Sequence, residues 1–303
     1  MLGNAVVPRL NAAGHAVHAL SHSDANDVRL HNLGAQATQA DLFDATSLQR
    51  VLDGCEAILH LATRIAPTAK MAIRASWYEN DHIRREGTRN LVEAALAVGG
   101  IHTFIYPSYA FVYPDSGDKW IDAETTVPQP TQTQESTLDA EVAVANFGEE
   151  RRGISLRMAS LYGLESPATR EQLAYARKGI AALPGLGDAY LPQVTVHDGA
   201  NAIVTALVCP IPSGVYDVAD DDPLTRDEDF AAMAEAVGRR RLRQLPTPVM
   251  RMLTGVVFDT MSRSLRVSNR RFKEASGWRP LTPNARVGWE RIGESTKVDA
   301  APS

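Results

Sequence analysis

Apolar residues recur along this chain in two alternating rhythms. Spacings of three and four mark helices, and short apolar runs or every-other-residue patterns mark strands. The spacing predicts a helix over Asn4–Ala13, where Ala5, Val6, Val7, Leu10 and Ala13 are apolar, stopped by Gly14. A strand follows at Ala16–Ser21, then a polar helix over Asn26–Asn32 ended by Gly34, and a strand over Gln36–Leu42. Asp44 is a natural cap for the helix that Gly54 closes. Glu56–Thr63 is a strongly apolar strand of the kind buried in a parallel sheet. A long helix over Glu79–Val98, a strand over His102–Ser108, a helix over Leu138–Phe147 and a strand over Gly153–Tyr162 complete the regular part.

Strand and helix alternating in this way imply an α/β fold, a doubly wound parallel Rossmann-like sheet, over residues 1–163. Thr125–Ser136, rich in Pro, Thr and Gln, reads as an exposed loop within it. Residues 164–303 have a looser pattern and read as a smaller C-terminal substrate lobe interleaved with the end of the sheet. It carries helical stretches at Arg170–Lys178, Asp198–Val208 and Arg226–Val237, a strand at Gly214–Ala219, and a last helix over Ser268–Ser276 stopped by Gly277. Thr225 and Glu228 form a capping box. The opening helix and strand are the second half of a strand–loop–helix–strand unit, so a preceding strand is expected.

Composition narrows the class. The 303 residues are 44% hydrophobic and 22% charged, with net charge −5, which gives no electrostatic case for nucleic acid. The basic run Arg239–Arg241 is expected to be a solvated helix end. Cys55 and Cys209 stand alone, so no zinc site or redox pair is expected and no metal is assigned. No apolar run reaches the length of a bilayer helix and no signal peptide is evident, so the expected setting is cytoplasmic, with no membrane partner.

An open parallel sheet binds ligands at the carboxyl ends of its strands. Those ends are Ser21-His22, Asp41-Leu42, Leu61-Ala62-Thr63, Pro107-Ser108-Tyr109 and Met158-Ala159-Ser160. Together they would line one long crevice suited to a dinucleotide.

The chain resembles the extended short-chain dehydrogenases/reductases of the NAD-dependent epimerase/dehydratase group. The likeness is carried by Gly3 and Gly14-His15, Asp41–Asp44, HLAT at His60–Thr63, EGTRNLVEAA at Glu86–Ala95, SYAFVY at Ser108–Tyr113, LRMASLYG at Leu156–Gly163, VHD at Val196–Asp198, GVYDVAD at Gly214–Asp220 and RVSNRRFKEASGWRP at Arg266–Pro280. It implies an NAD- or NADP-dependent oxidoreductase, epimerase or dehydratase. Gly3 matches the third glycine of the family's phosphate loop; the first strand and the first two glycines have no counterpart, and an incomplete N-terminus is the expected reason. The resemblance sets His22 where NADP-using relatives often carry arginine, which favours NADP over NAD. It places Asp41 and Leu42 about the adenine, and Ala62 and Thr63 beside the ribose and phosphates.

The family's acid/base set is a Ser or Thr with a Tyr and Lys spaced four apart on a helix, so that the cation lowers the phenol pKa. Aligned on Glu141, this chain has Thr133 in the Tyr place and Thr137 in the Lys place, and Tyr109 stands where the Ser or Thr belongs. Tyr109, Ser108 and Tyr113 are therefore the catalytic candidates, with Asp115, His197 and Asp198 as others; Asp198 also suits a helix cap. A non-catalytic, dinucleotide-binding regulator or scaffold is the alternative reading. In the substrate lobe, Arg177-Lys178 and the loop Leu183–Asp188 could meet a nucleotide sugar, and Trp120 could stack on a substrate ring. A small carbonyl compound or a polyketide-like ketone is an equally open substrate. The sequence leaves the oligomeric state open, although helix pairs on such sheets often form a homodimer.

Overall fold

A computed structural model describes residues 1–298. Helix Leu2–Ala12 (α1) leads into strand His18–Ser21 (β1), with Gly14 at φ +86° making the turn between them. Helix Asp24–Asn32 (α2), capped by the Ser23 hydroxyl, crosses to the parallel strand Gln36–Gln39 (β2). Asp44 caps helix Ala45–Leu52 (α3), as its sequence predicts, and a short strand Ala57–Leu59 (β3) follows.

The helix predicted over Glu79–Val98 is in fact three pieces. Tyr78–His82 (α4) runs into a π-helical turn at Ile83–Gly87 and then into Thr88–Val98 (α5). Local spacing does not reveal this turn. At its end Leu42 packs so closely on Gly87 that a Cβ there would lie 2.4 Å from the Leu42 Cδ2.

Strand Thr103–Tyr109 (β4) is the centre of the main sheet. A four-stranded parallel sheet runs in the order Gly214–Val218, Arg152–Met158, β4, β3. β1 and β2 form a separate parallel pair. Among the described residues no strand lies between β1 and β3, so each has one edge without a strand partner. Packing spans this break on both faces. Val6 and Leu10 of α1 join the core against the main sheet while Val7 packs with Ala35 beside β1 and β2. On the other face Leu20 of β1 packs with Leu48 and Leu52 of α3, Ile58 of β3 and Leu91 of α5. The fold is the α/β, parallel Rossmann-like arrangement the alternation predicts.

The predicted strand Gly153–Tyr162 breaks at Ala159, whose N–H turns to the Val218 carbonyl; Ser160–Tyr162 then pairs with Gln193–Thr195 instead. Helix Glu135–Ala145 (α6) begins three residues earlier than expected and pulls the end of the supposed exposed loop inside: Thr133 and Ser136 are fully buried. The Thr225–Glu228 capping box opens helix Arg226–Ala236 as predicted. The capping expectation for Asp198 is corrected. Thr195 caps helix Val196–Val208, and the Asp198 carboxylate accepts from the Leu281 and Thr282 amides, holding the chain before the last helix, Ala285–Val298. Two short helices that periodicity did not predict follow: Phe258–Met261 lies against the turn after β4, and Thr247–Thr254 packs on Phe258–Met261. No helix among the described residues is long and apolar enough to cross a membrane.

Candidate functional site

The carboxyl ends of β1 to β4 and the N-terminus of α1 define the crevice. The Met1–Leu2 end of α1 has no side chain capping it, and a Cβ added at Gly3 would meet nothing within 4 Å. A helix N-terminus without a side-chain cap suits a phosphate. Arg29 of α2 donates to Asn4 Oδ1 in the first turn of α1 and so adds a cation beside this end. Sequence reasoning passed over Arg29, because only the fold brings α2 against the first turn of α1. His22, Asp41, Ala62 and Thr63 are exposed, and Leu61, Pro107 and Tyr109 are partly so. Asp41 Oδ1 accepts from the Phe43 amide at 2.9 Å, which fixes the turn after β2. Phe43 stacks on His82, with ring centroids 4.1 Å apart.

Other predicted residues are turned inward. Leu42 is buried against Gly87, and Met158 is a core residue beside Val194 and Ala200; neither presents its side chain to the crevice. Ser21 is buried, with its hydroxyl joined to Asn26 Nδ2 and the Ser23 backbone. Ser160 lies past the break in the strand, paired with Gln193.

Of the catalytic candidates, two hydroxyls are committed to buried partners. Ser108 donates to Glu141 Oε1. Glu141 also takes two N–H bonds from Arg157, at 2.9 and 2.7 Å. Arg157 lies under the Tyr113 ring, 4.8 Å from its centroid, and Tyr113 in turn donates to Asp217 Oδ1 at 2.8 Å. This chain of five side chains, all buried, runs from β4 through α6 to the far strand of the sheet. Burial works against the Arg157 cation, but its bonds to Glu141 outweigh that and hold its pKa above normal. Burial pushes Asp217 up to about 7, against the hydrogen bond from Tyr113. Tyr113 thus sits in the core and takes no place in the crevice, a correction to its catalytic candidacy.

Tyr109 is different. It ends β4, stacks on Phe111 with centroids 4.7 Å apart, and its hydroxyl donates to Met261 Sδ at 3.9 Å. Burial pushes its phenol well above the usual range, against the pull of the Arg84 and Arg226 cations. Thr133 and Thr137 are both fully buried at the start of α6. Thr133 shares a hydroxyl contact with Thr131, which bonds Thr260 of the covering helix, and Thr137 bonds Gln134 Oε1. His60, at the end of β3, is buried and pushed down to about 4 by desolvation, so it is neutral; its Nε2 has no partner.

The remaining candidates lie elsewhere. Asp115 holds a turn through the Gly117 and Ser264 amides. His197 is exposed between Arg9 and Glu165, with contacts of 2.7 and 2.9 Å. Trp120 is half exposed under the Arg266 guanidinium. Among the described residues no group of His, Cys, Asp and Glu could hold a metal.

A family profile described as the NAD dependent epimerase/dehydratase family matches residues 1–219. A Streptomyces protein named 3-diazoavenalumate denitrifying reductase is 28% identical over 309 residues, covering 96% of both chains. An epimerase family protein of Mycobacterium bovis is 24% identical over 264 residues, covering 86% of this chain and 83% of its own. Among solved structures, a human epimerase family protein (isoform 2) with NADPH superposes with a TM-score of 0.82 at 21% identity, over 97% of this chain and 96% of that one. The UDP-glucose 4-epimerase of Thermotoga maritima with UDP-glucose gives 0.78 at 19% identity, over 99% and 97%.

Proposed function

The chain belongs to the NAD dependent epimerase/dehydratase family, and from that premise we propose that it is an NAD(P)H-dependent reductase and not a sugar epimerase. The observation that carries this reading is the pair Thr133 and Thr137, both fully buried where the family's tyrosine and lysine belong. Neither hydroxyl can pass a proton to or from a substrate oxygen at neutral pH. Ser108 is engaged with Glu141, and the phenol of Tyr109 has its pKa raised. A 4-epimerase must move a proton on and off a hydroxyl in each turnover; this site holds no group fit for that. A reduction whose leaving group departs without protonation needs none.

A bound nicotinamide would supply hydride. The chain's own residues would do the rest. Gly3 and the N–H groups at the start of α1 would take the phosphates, with Arg29 alongside. His22 and Asp41 would flank the adenosine, and Leu61, Ala62, Thr63 and Pro107 would carry the dinucleotide across to Tyr109. Exposed His22, at the end of β1, favours the 2′-phosphate of NADP. Phe258–Met261 covers that end through Thr260 and Met261 and keeps water out. The Streptomyces relative's name describes such a reduction, replacement of a diazo group. In it one carbon–nitrogen bond breaks, dinitrogen leaves, and hydride forms the new carbon–hydrogen bond.

The test follows NADPH consumption with 3-diazoavenalumate, and separately the interconversion of UDP-glucose with NAD. The reading expects NADPH oxidation with release of dinitrogen and no epimerised sugar. Epimerised sugar, or NADPH bound but never oxidised by any electrophile offered, would overturn it; the second result would mark a non-catalytic binder.

A further inference from the structure

Arg84 lies in the π-helical turn Ile83–Gly87, a distortion that recurs at functional sites because it re-aims side chains. The turn packs against α6. Its neighbours on the chain are spent on structure. Arg85 pairs with Asp139 and Glu135 of α6, and Arg74 pairs with Asp81 at 2.7 Å. Arg84 has no salt bridge among the described residues, and its Nη1 is buried without a hydrogen-bond partner. A guanidinium left this way is costly unless a ligand or water completes it.

The surroundings indicate what would complete it. Arg84 is close enough to Tyr106 and Tyr109 for its charge to lower both phenol pKa values, against the burial that raises them. Of the carboxylates about it, Glu141 is already bound by Arg157 and Ser108, and Asp81 by Arg74 and Ser136. The other cation acting on Tyr109, Arg226, is fully buried: its Nη2 donates to the Met261 and Arg263 carbonyls, and its Nε and Nη1, without partners of their own, are shut in against Gly185 and out of a substrate's reach. The one aromatic ring partly open here is Tyr109, backed by the buried Phe111 with centroids 4.7 Å apart. The dinucleotide phosphates belong at the other end, on α1 and Arg29.

We propose that Arg84 is the substrate's anion receptor: it binds the carboxylate of an aromatic acid whose ring lies against Tyr109. This deepens the reductase reading and rests on it, since it assumes that hydride is delivered at the end of β4. A planar guanidinium with a free edge matches a carboxylate better than a lysine would.

The experiment measures, by calorimetry in the presence of NADP, the binding of cinnamate and of uncharged cinnamamide to the protein and to its Arg84→Met and Arg84→Lys variants, with NADPH binding measured in parallel. Loss of a charge-assisted bond should weaken cinnamate by roughly ten- to a hundredfold in Arg84→Met and by less in Arg84→Lys. Cinnamamide and NADPH affinities should stay the same in all three. Cinnamate affinity that does not respond to Arg84→Met overturns the proposal, and so does failure of cinnamate to bind the unaltered protein. An equal loss of NADPH affinity would instead assign Arg84 to a cofactor phosphate. If NADPH binds none of the proteins, the reductase reading falls, and the cinnamate comparison still judges Arg84 separately. Arg84 makes no hydrogen bond that holds the fold, so Arg84→Met should melt with the unaltered protein; should it not fold, the Arg84→Lys comparison decides.

Discussion

Removing the Glu141 carboxylate tests the claim that the Ser108–Tyr113 region is a structural network. In Glu141→Ala, Arg157 keeps its charge but loses bonds of 2.9 and 2.7 Å, and Ser108 loses its acceptor. Arg157 is 5% exposed, so water cannot replace them, and only the Tyr113 ring remains beside it. Breaking one side of such a buried pair costs roughly 3–5 kcal/mol. At roughly 2–4 °C per kcal/mol for a chain of this size class, the melting temperature should fall by about 6–20 °C. The double variant Glu141→Leu with Arg157→Met removes both charges and fills similar volume, so it should recover most of the loss, short of about 1 kcal/mol for Ser108. Urea unfolding followed by circular dichroism measures both. A single variant within about 1 kcal/mol of the parent, or a double variant as unstable as the two singles summed, refutes the reasoning.

Three further outcomes follow from the same geometry. Asp217 is pushed up to about 7 by burial while an unfolded aspartate sits near 3.8, so the folded state holds the extra proton between these values; stability should therefore fall as pH rises across that window, and Asp217→Asn should flatten the slope seen in unfolding titrations. A Cβ at Gly153 would lie 2.2 Å from the Val144 backbone oxygen, which cannot move aside, so Gly153→Ala should cost about 2–3 kcal/mol or more, measured by thermal melt. Thr225→Ala removes the cap of helix Arg226–Ala236 and should cost about 1 kcal/mol, with NADPH affinity unchanged by calorimetry.

What the sequence made legible was local. Gly14, Gly34, Gly54 and Gly277 punctuate helices where they stand, and Asp44 and Thr225 cap theirs, because each acts within one turn of chain. Strand ends could be read as crevice positions because a parallel sheet sends them all one way, and His22, Asp41, Ala62 and Thr63 are exposed there. What the sequence hid was contact between distant segments. Leu42 meets Gly87 at the end of the π-helical turn, across 45 residues of chain. Leu42, three residues past β2, and Met158, the last of its strand, have their side chains buried in the core. The link from Ser108 to Asp217 joins five residues that no spacing connects, and it takes Tyr113 and Ser108 out of the chemistry that their motif suggests. Arg84 is one of a run of charged residues, and only the turn it lies in sets it apart from Arg85.

The most direct test of the account is isotopic. The protein is incubated with NADPH deuterated at the transferring position and with 3-diazoavenalumate, and the product is read by mass spectrometry and proton NMR. The account predicts one deuterium on the ring carbon that carried the nitrogen, with NADP and dinitrogen formed in equal amounts. Product carrying hydrogen from solvent at that carbon, or no product while the nucleotide stays reduced, would contradict it.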